Sequence, residues 1–247
     1  MKIKDLKDIH KKDKIIFIVG GAPSCVSWDI NLIKDYPIIA VNSGLIKVKN
    51  INKNFYFLSD DQAVRHWSYF RDLKDLNTIN LLYKDKLEKH SQHLDQKKTI
   101  YFTHKSFFSP PNTYHFPGIK LTKSEPLIGS RLSTGTAIHV SFICGASVCV
   151  LLGCDCRCSK EGHRYFFQYW DKKDQPYRLD YDFNKKTQNM GASYKDFIDY
   201  WRHFSENNKE ILQNEFKVIN CSDTPSDFDF FPKMSIEEVL EKYGKEK

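Results

Sequence analysis

Apolar residues fall along this chain in short unbroken runs, each closed by small or acidic residues. Ile15–Val19 (IIFIV) ends at Gly20-Gly21, and Ile38–Val41 (IIAV) ends at Asn42-Ser43-Gly44. Phe55–Leu58 (FYFL) ends at Ser59-Asp60-Asp61, and Ser147–Leu152 (SVCVLL) ends at Gly153-Cys154-Asp155. An apolar run without polar alternation is the pattern of a strand covered on both faces, as in a parallel sheet. Thr78–Tyr83, Thr99–Thr103 and Lys217–Asn220 read as further strands. Helical spacing appears between them. Ser133–Ala146 carries the stripe Ala137, Val140, Ser141, Cys144 and stops at Gly145. Ala192–Asn207 places Phe197, Tyr200, Trp201 and Phe204 on one face, and Ser235–Lys242 opens with a capping box of Ser235 and Glu238. Ser24–Ile33 is expected to open a helix with Ser27 as its N-cap. Together these predict an α/β fold, a mostly parallel sheet with helices on both faces.

Four stretches break the pattern. Residues 1–14 are a charged lead-in, expected to form a short helix or arm, and 84–98 are charged again. Residues 105–130 gather Ser109-Pro110-Pro111, Pro117-Gly118, Pro126 and Gly129 into a loop long enough to suggest a lid or binding loop. Residues 157–195 are polar and aromatic without regular spacing, and are expected to form a flap or lid insertion in a single domain spanning 1–247.

Composition adds bounds. With 247 residues, 40% apolar and 14% aromatic, the chain is long and apolar enough to bury a sizeable core. No apolar run reaches membrane length and the charged N-terminus lacks the core of a secretory signal, so a cytoplasmic protein without a membrane span is expected. The seven cysteines, Cys25, Cys144, Cys149, Cys154, Cys156, Cys158 and Cys221, are an odd number and fit reduced thiols. A net charge of +7 suits an anionic partner, but the lysines are scattered, which favours simple solubility.

The chemistry gathers at the strand ends. In an open parallel sheet, ligands bind outside the carboxyl ends where the strand order reverses, so the four ends are expected to line one crevice. Gly20-Gly21-Ala22-Pro23-Ser24 lets a backbone approach a phosphate and offers the Ser24 hydroxyl; a tight turn accounts for the glycines equally well. Arg131-Leu132-Ser133-Thr134-Gly135 puts a cation and two hydroxyls at a helix start, an anion-binding arrangement or a simple cap. Asp60, Asp61 and Asp155 suit ribose hydroxyls, a divalent cation, a general base or turn capping. Cys154-x-Cys156-x-Cys158 lacks the second cysteine pair of a zinc site, so no metal ligands are assigned. His163 follows Asp155 closely enough to serve as general base or phosphate ligand; His139 lies inside an apolar helix and reads as a core residue. The aromatics of 165–183 are expected to pack a flap onto the body or to stack on a base.

The ordered segments IVGGAPS, AVNSG, FLSDD, RLSTGTA, LLGCDC with GHRYF, and the late SDTPSDFDFFP resemble a Rossmann-like superfamily. It includes bacterial sialyltransferases, the motility-associated flagellin glycosyltransferases and archaeal 6-hydroxymethylpterin pyrophosphokinase-like proteins. The resemblance spans roughly residues 15–240. It implies nucleotide contacts from Gly20, Gly21, Pro23, Ser24, Asn42 and Ser43, from Arg131, Ser133, Thr134 and Gly135, and from Gly153 and Asp155. Asp60 corresponds to the strand-end aspartate of the pyrophosphokinase-like branch. The sialyltransferase flap, with its catalytic histidine, is rewritten here, which leaves the base open; His163 matches the histidine of the flagellin-modifying branch.

Three functions follow as expectations. One is a nucleotide-sugar-dependent, sialyltransferase-like glycosyltransferase. Its donor is a sugar nucleotide and its acceptor a hydroxyl on a glycan, a protein or modified DNA, with Arg131, Asp155 and His163 as catalytic residues. Another is an ATP- and Mg²⁺-dependent pyrophosphokinase with Asp60 and Asp155 as metal ligands. The third is a non-catalytic nucleotide or nucleic-acid binding module. The sequence leaves the need for a divalent cation and the oligomeric state open.

Overall fold

A computed structural model describes residues 1–51, 55–59, 73–74, 76–103, 120–128, 133–156, 159–161, 169, 171–173, 175, 190–224 and 228–244. Seven strands form one sheet: β1 (Ile15–Val19), β2 (Ile38–Val41), β3 (Phe55–Ser59), β4 (Thr78–Tyr83), β5 (Thr99–Phe102), β6 (Val148–Leu152) and β7 (Lys217–Asn220). Their order is β5-β4-β3-β2-β1-β6-β7, and every neighbouring pair is parallel. The predicted α/β, Rossmann-like architecture is therefore present. The unbroken apolar runs are explained by cover on both faces: every residue of β1, β2, β3 and β6 is buried.

On one face, Ile16 and Ile18 of β1, Ile39 of β2 and Cys149 and Leu151 of β6 meet two helices, α2 (Ser133–Ile143) and α3 (Met190–Asn207). On the other, Ile15, Phe17 and Val19, with Val148, Val150 and Leu152, meet α1 (Gly44–Val48), the turns of residues 23–33 and α5 (Ile236–Tyr243). A short helix α4 (Lys209–Asn214) leads from α3 into β7. α2 ends as its glycine predicts. Gly145 has φ +86°, its N–H donates to the Phe142 carbonyl, and Ala146 N–H donates to Ser141. This is the paired bonding of a Schellman end. The Ser235–Glu238 capping box opens α5 as expected.

One segment departs from the sequence pattern. Residues 24–33 form no α-helix. Pro23–Val26 and Ile30–Ile33 are separate 3₁₀ turns; Ser27 closes the first, and Asp29 caps the second by accepting from Asn31 N–H. The charged lead-in holds a short 3₁₀ helix, Ile3–Leu6, that docks on the body. Ile3 and Leu6 are fully buried, while Asp8 and His10 N–H groups donate to the Ile143 and Cys144 carbonyls at the end of α2. His10 bridges Asp13 at 2.8 Å and the Tyr56 hydroxyl of β3 at 2.7 Å. The flap of 157–195 lies mostly outside the described residues, although α3 begins within its expected limits at Met190. Among the described residues no helix is long and apolar enough to cross a membrane.

Candidate functional site

The strand order defines the site. The chain steps outward from β1 to β5, then returns to the other side of β1 as β6 and continues to β7. The order reverses between β1 and β6, and a crevice opens outside the carboxyl ends of such a pair. Gly20-Gly21 and Gly153-Cys154-Asp155 are the two strand ends at that point.

These ends are zipped together. Gly20 N–H donates to the Leu152 carbonyl at 2.8 Å, and Ala22 N–H donates to the Gly153 carbonyl at 3.0 Å. Ser24 N–H donates to Asp155 Oδ2 at 2.9 Å, while its hydroxyl donates to Asp155 Oδ1. Alternate amides of the turn thus continue the β1–β6 ladder past its last strand pair. Pro23, the first residue of the 3₁₀ turn, has no N–H to give. The Gly21 amide, half-buried, is left with no acceptor among the described residues.

The glycines have an internal explanation. A Cβ on Gly20 would lie 2.3 Å from the Gly153 carbonyl oxygen, and one on Gly21 would lie 1.7 Å from Ser43 Oγ. Gly153 has φ +62°, and its Cβ would lie 2.1 Å from Cys25 Sγ. Gly20 lies against the Gly153 backbone, while Gly21 and Gly153 lie against the Ser43 and Cys25 side chains, so none of the three positions has room for a side chain of its own.

The β2 end supplies the second wall. Asn42 adopts φ +49°, a left-handed conformation that asparagine tolerates better than most residues. Its side chain accepts from Ser59 Oγ at the β3 end and donates to Ser133 Oγ at the start of α2, at 2.9 and 3.0 Å. Ser43, which follows, is 2% exposed. In the first turns of α2, Thr134 Oγ1 approaches Cys154 Sγ at 3.8 Å, Gly135 is buried, and Thr136 donates to the Ile128 carbonyl. The expected residues Gly20, Gly21, Pro23, Ser24, Asn42, Ser43, Ser133, Thr134, Gly135, Gly153 and Asp155 therefore lie on the ends of β1, β2 and β6 and the first turn of α2. Arg131, His163 and Asp60 lie outside the described residues.

A third layer comes from Asn220 and from the late SDTPSDFDFFP segment, whose residues carried no site assignment from sequence. Cys154 N–H donates to Ser222 Oγ at 2.9 Å, and Ser222 N–H donates to Asn220 Oδ1. Asn220 Nδ2 donates to Thr224 Oγ1 at 2.7 Å. The turn after β7 thereby fixes the Gly153–Asp155 turn from behind. Two buried indole nitrogens, Trp28 Nε1 and Trp201 Nε1, have no hydrogen-bond partner among the described residues. The Cys154 and Cys156 sulfurs turn to different neighbours, one to Thr134 and the Leu152 carbonyl, the other to the Cys154 carbonyl. Elsewhere, His139 is fully buried. Its Nδ1 accepts from Ile128 N–H at 2.9 Å, and its Nε2 donates to the Thr122 carbonyl at 2.8 Å. It anchors residues 122–128 to α2, a structural role.

The buried thiols are held neutral, Cys25 and Cys154 beside the crevice and Cys144 and Cys149 toward the opposite end of the sheet. Burial, then the nearby Asp155 carboxylate, push Cys25 well above its ordinary 9.0. Burial likewise pushes Cys154 and Cys144 up to about 12 and raises Cys149. Above pH 9 the unfolded chain releases thiol protons that the native chain retains, so stability falls as pH rises from 9 toward 12. Each buried thiol contributes a slope of up to about 1.4 kcal/mol per pH unit. The expected result is a urea midpoint that drops between pH 8.5 and 10, with Cys25, Cys144, Cys149 and Cys154 resisting iodoacetamide until the chain unfolds. Rapid labelling of these four in the native chain at pH 9 would contradict it.

No family model, curated protein or solved structure matches this chain.

Proposed function

We propose that this chain is a nucleotide-dependent transferase, and specifically a glycosyltransferase that takes a sugar nucleotide and passes the sugar to a hydroxyl acceptor. The observation that carries the reading is the gathering of hydroxyl, amide and backbone groups from the β1, β2 and β6 ends and the start of α2 at the point where strand order reverses. Neutral hydrogen-bonding groups of this kind suit ribose, base and sugar hydroxyls.

The state of Asp155 favours sugar-nucleotide chemistry over Mg²⁺–ATP chemistry. Pyrophosphoryl transfer needs carboxylates that accept a metal ion. Asp155 is 3% exposed and both its oxygens accept from Ser24. In the proposed reaction, Arg131 offsets negative charge on the departing nucleotide and His163 takes the acceptor proton.

A thermal-shift panel of CMP, UDP, GDP and ATP, each with EDTA or with Mg²⁺, tests the reading. At a hundredfold excess over Kd a ligand stabilises by about 2.7 kcal/mol. That raises Tm by roughly 5–10 °C at this chain length. The expected result is a rise with at least one of CMP, UDP or GDP in EDTA. A response to ATP alone, and only with Mg²⁺, would overturn the glycosyltransferase in favour of pyrophosphoryl transfer.

A further inference from the structure

The 3₁₀ turn Pro23–Val26 lacks a cap of its own. Ala22 stands at the N-cap position and has no side chain that accepts a hydrogen bond. The Ser24 amide, one of the donors that a cap normally satisfies, is instead satisfied from 131 residues away by Asp155. In dinucleotide-binding sheets, the corresponding amides after the first strand hold the ligand's pyrophosphate. Here the Gly20 and Ala22 amides are taken by the Leu152 and Gly153 carbonyls, and a carboxylate already sits on Ser24.

We infer that Asp155 is an internal anion: it occupies the place on the β1 turn that a ligand phosphate would take, so this side of the crevice receives an uncharged, hydroxyl-bearing part of the ligand. Three features support it. The carboxylate is almost wholly buried, it meets Ser24 through both oxygens, and the Gly21 amide is the one backbone donor of the turn with no acceptor among the described residues. A phosphate approaching Ser24 would meet a negative charge at hydrogen-bonding distance, a contact of like charges in a poorly hydrated place. Asp155 is thus a positioning residue that acts through Ser24. The ligand half of the inference rests on the nucleotide reading above; the internal-anion half does not.

The test is chemical rescue. Asp155→Ala leaves the Ser24 N–H and hydroxyl facing a carboxylate-sized space, and its Tm is expected to fall by roughly 5–10 °C. Formate and phosphate are expected to restore it saturably, beyond equal ionic strength of chloride, while the wild-type chain shows no such excess. A variant that responds to formate and phosphate no more than to chloride would overturn the proposal. Should Asp155→Ala not fold, Asp155→Asn keeps the volume and removes the charge. Faster hydrogen exchange at the Ser24 amide is then expected, and unchanged exchange would overturn it. For the ligand half, inorganic pyrophosphate added to the wild-type chain is expected to leave exchange at the Ala22 and Ser24 amides unaltered; slowing at either would overturn that half. Formate rescue without any nucleotide stabilisation would remove the nucleotide reading and keep the internal anion, whereas nucleotide stabilisation without rescue would do the reverse.

Discussion

Gly153→Ala is expected to cost roughly 3 kcal/mol or more and to remove nucleotide-induced stabilisation with it. The added Cβ meets Cys25 Sγ at 2.1 Å and the Gly20 carbonyl oxygen at 2.9 Å, at a residue with φ +62°. Left-handed backbone alone costs an alanine about 1–2 kcal/mol, and overpacking adds typically 1–3 kcal/mol. Cys25 is fully buried beneath the turn, so its sulfur has no open space to move into. The damage reaches the site because the Gly153 carbonyl holds the Ala22 amide and the next two residues lead to Asp155. A double variant separates the two causes. Cys25→Ala in the same chain removes the sulfur and should recover the packing part, leaving the backbone part. Denaturant unfolding of both variants checks this, and a double variant no more stable than Gly153→Ala would contradict the assignment of the clash to Cys25.

Trp201→Ala should destabilise the chain by about 3–5 kcal/mol, the range for deleting a buried large aromatic. Trp201 is 1% exposed and packs edge-on against Phe204, Phe228 and Phe231, with ring centroids 5.5, 6.1 and 5.4 Å away. Its indole N–H is buried with no hydrogen-bond partner among the described residues. The variant therefore loses a core anchor of α3. Trp201→Phe keeps most of the packing and should recover most of the stability in denaturant unfolding. A Trp201→Phe variant no more stable than Trp201→Ala would contradict the assignment of the loss to aromatic packing.

Much of this architecture was readable in the sequence because burial on both faces leaves a plain mark. β4 and β7 occur at the expected residues, Thr78–Tyr83 and Lys217–Asn220, since each is a short apolar run between polar flanks. The ends of α2 and α5 were legible through Gly145 and the Ser235–Glu238 box, both local devices. The segment after Ser24 was misread because Pro23 and Asp29 start two tight turns, and the apolar residues there follow no helical period. In the lead-in, lysines and aspartates hid Ile3 and Leu6, which lie three apart on the buried side of a single turn.

At the candidate site, the glycines, Ser24, Asn42 and Asp155 stood out because they end apolar runs. Their pairings did not. Ser24 with Asp155, Asn42 with Ser133 and Cys154 with Ser222 join residues 131, 91 and 68 positions apart, a tertiary relation that no local pattern encodes. The sequence left the glycines open between approach to a phosphate and a tight turn; packing shows Gly20 making room for the Gly153 backbone, and Gly21 and Gly153 for the Ser43 and Cys25 side chains.

The most direct test of the nucleotide crevice is differential hydrogen exchange on the full-length chain in EDTA, with and without whichever of CMP, UDP or GDP raises its Tm most. The account predicts slower exchange at Gly21, at Ser43–Gly44 and in the first turn of α2, with Ala22 and Ser24 unchanged. Protection confined to other surfaces, or seen only with ATP and Mg²⁺, would contradict it.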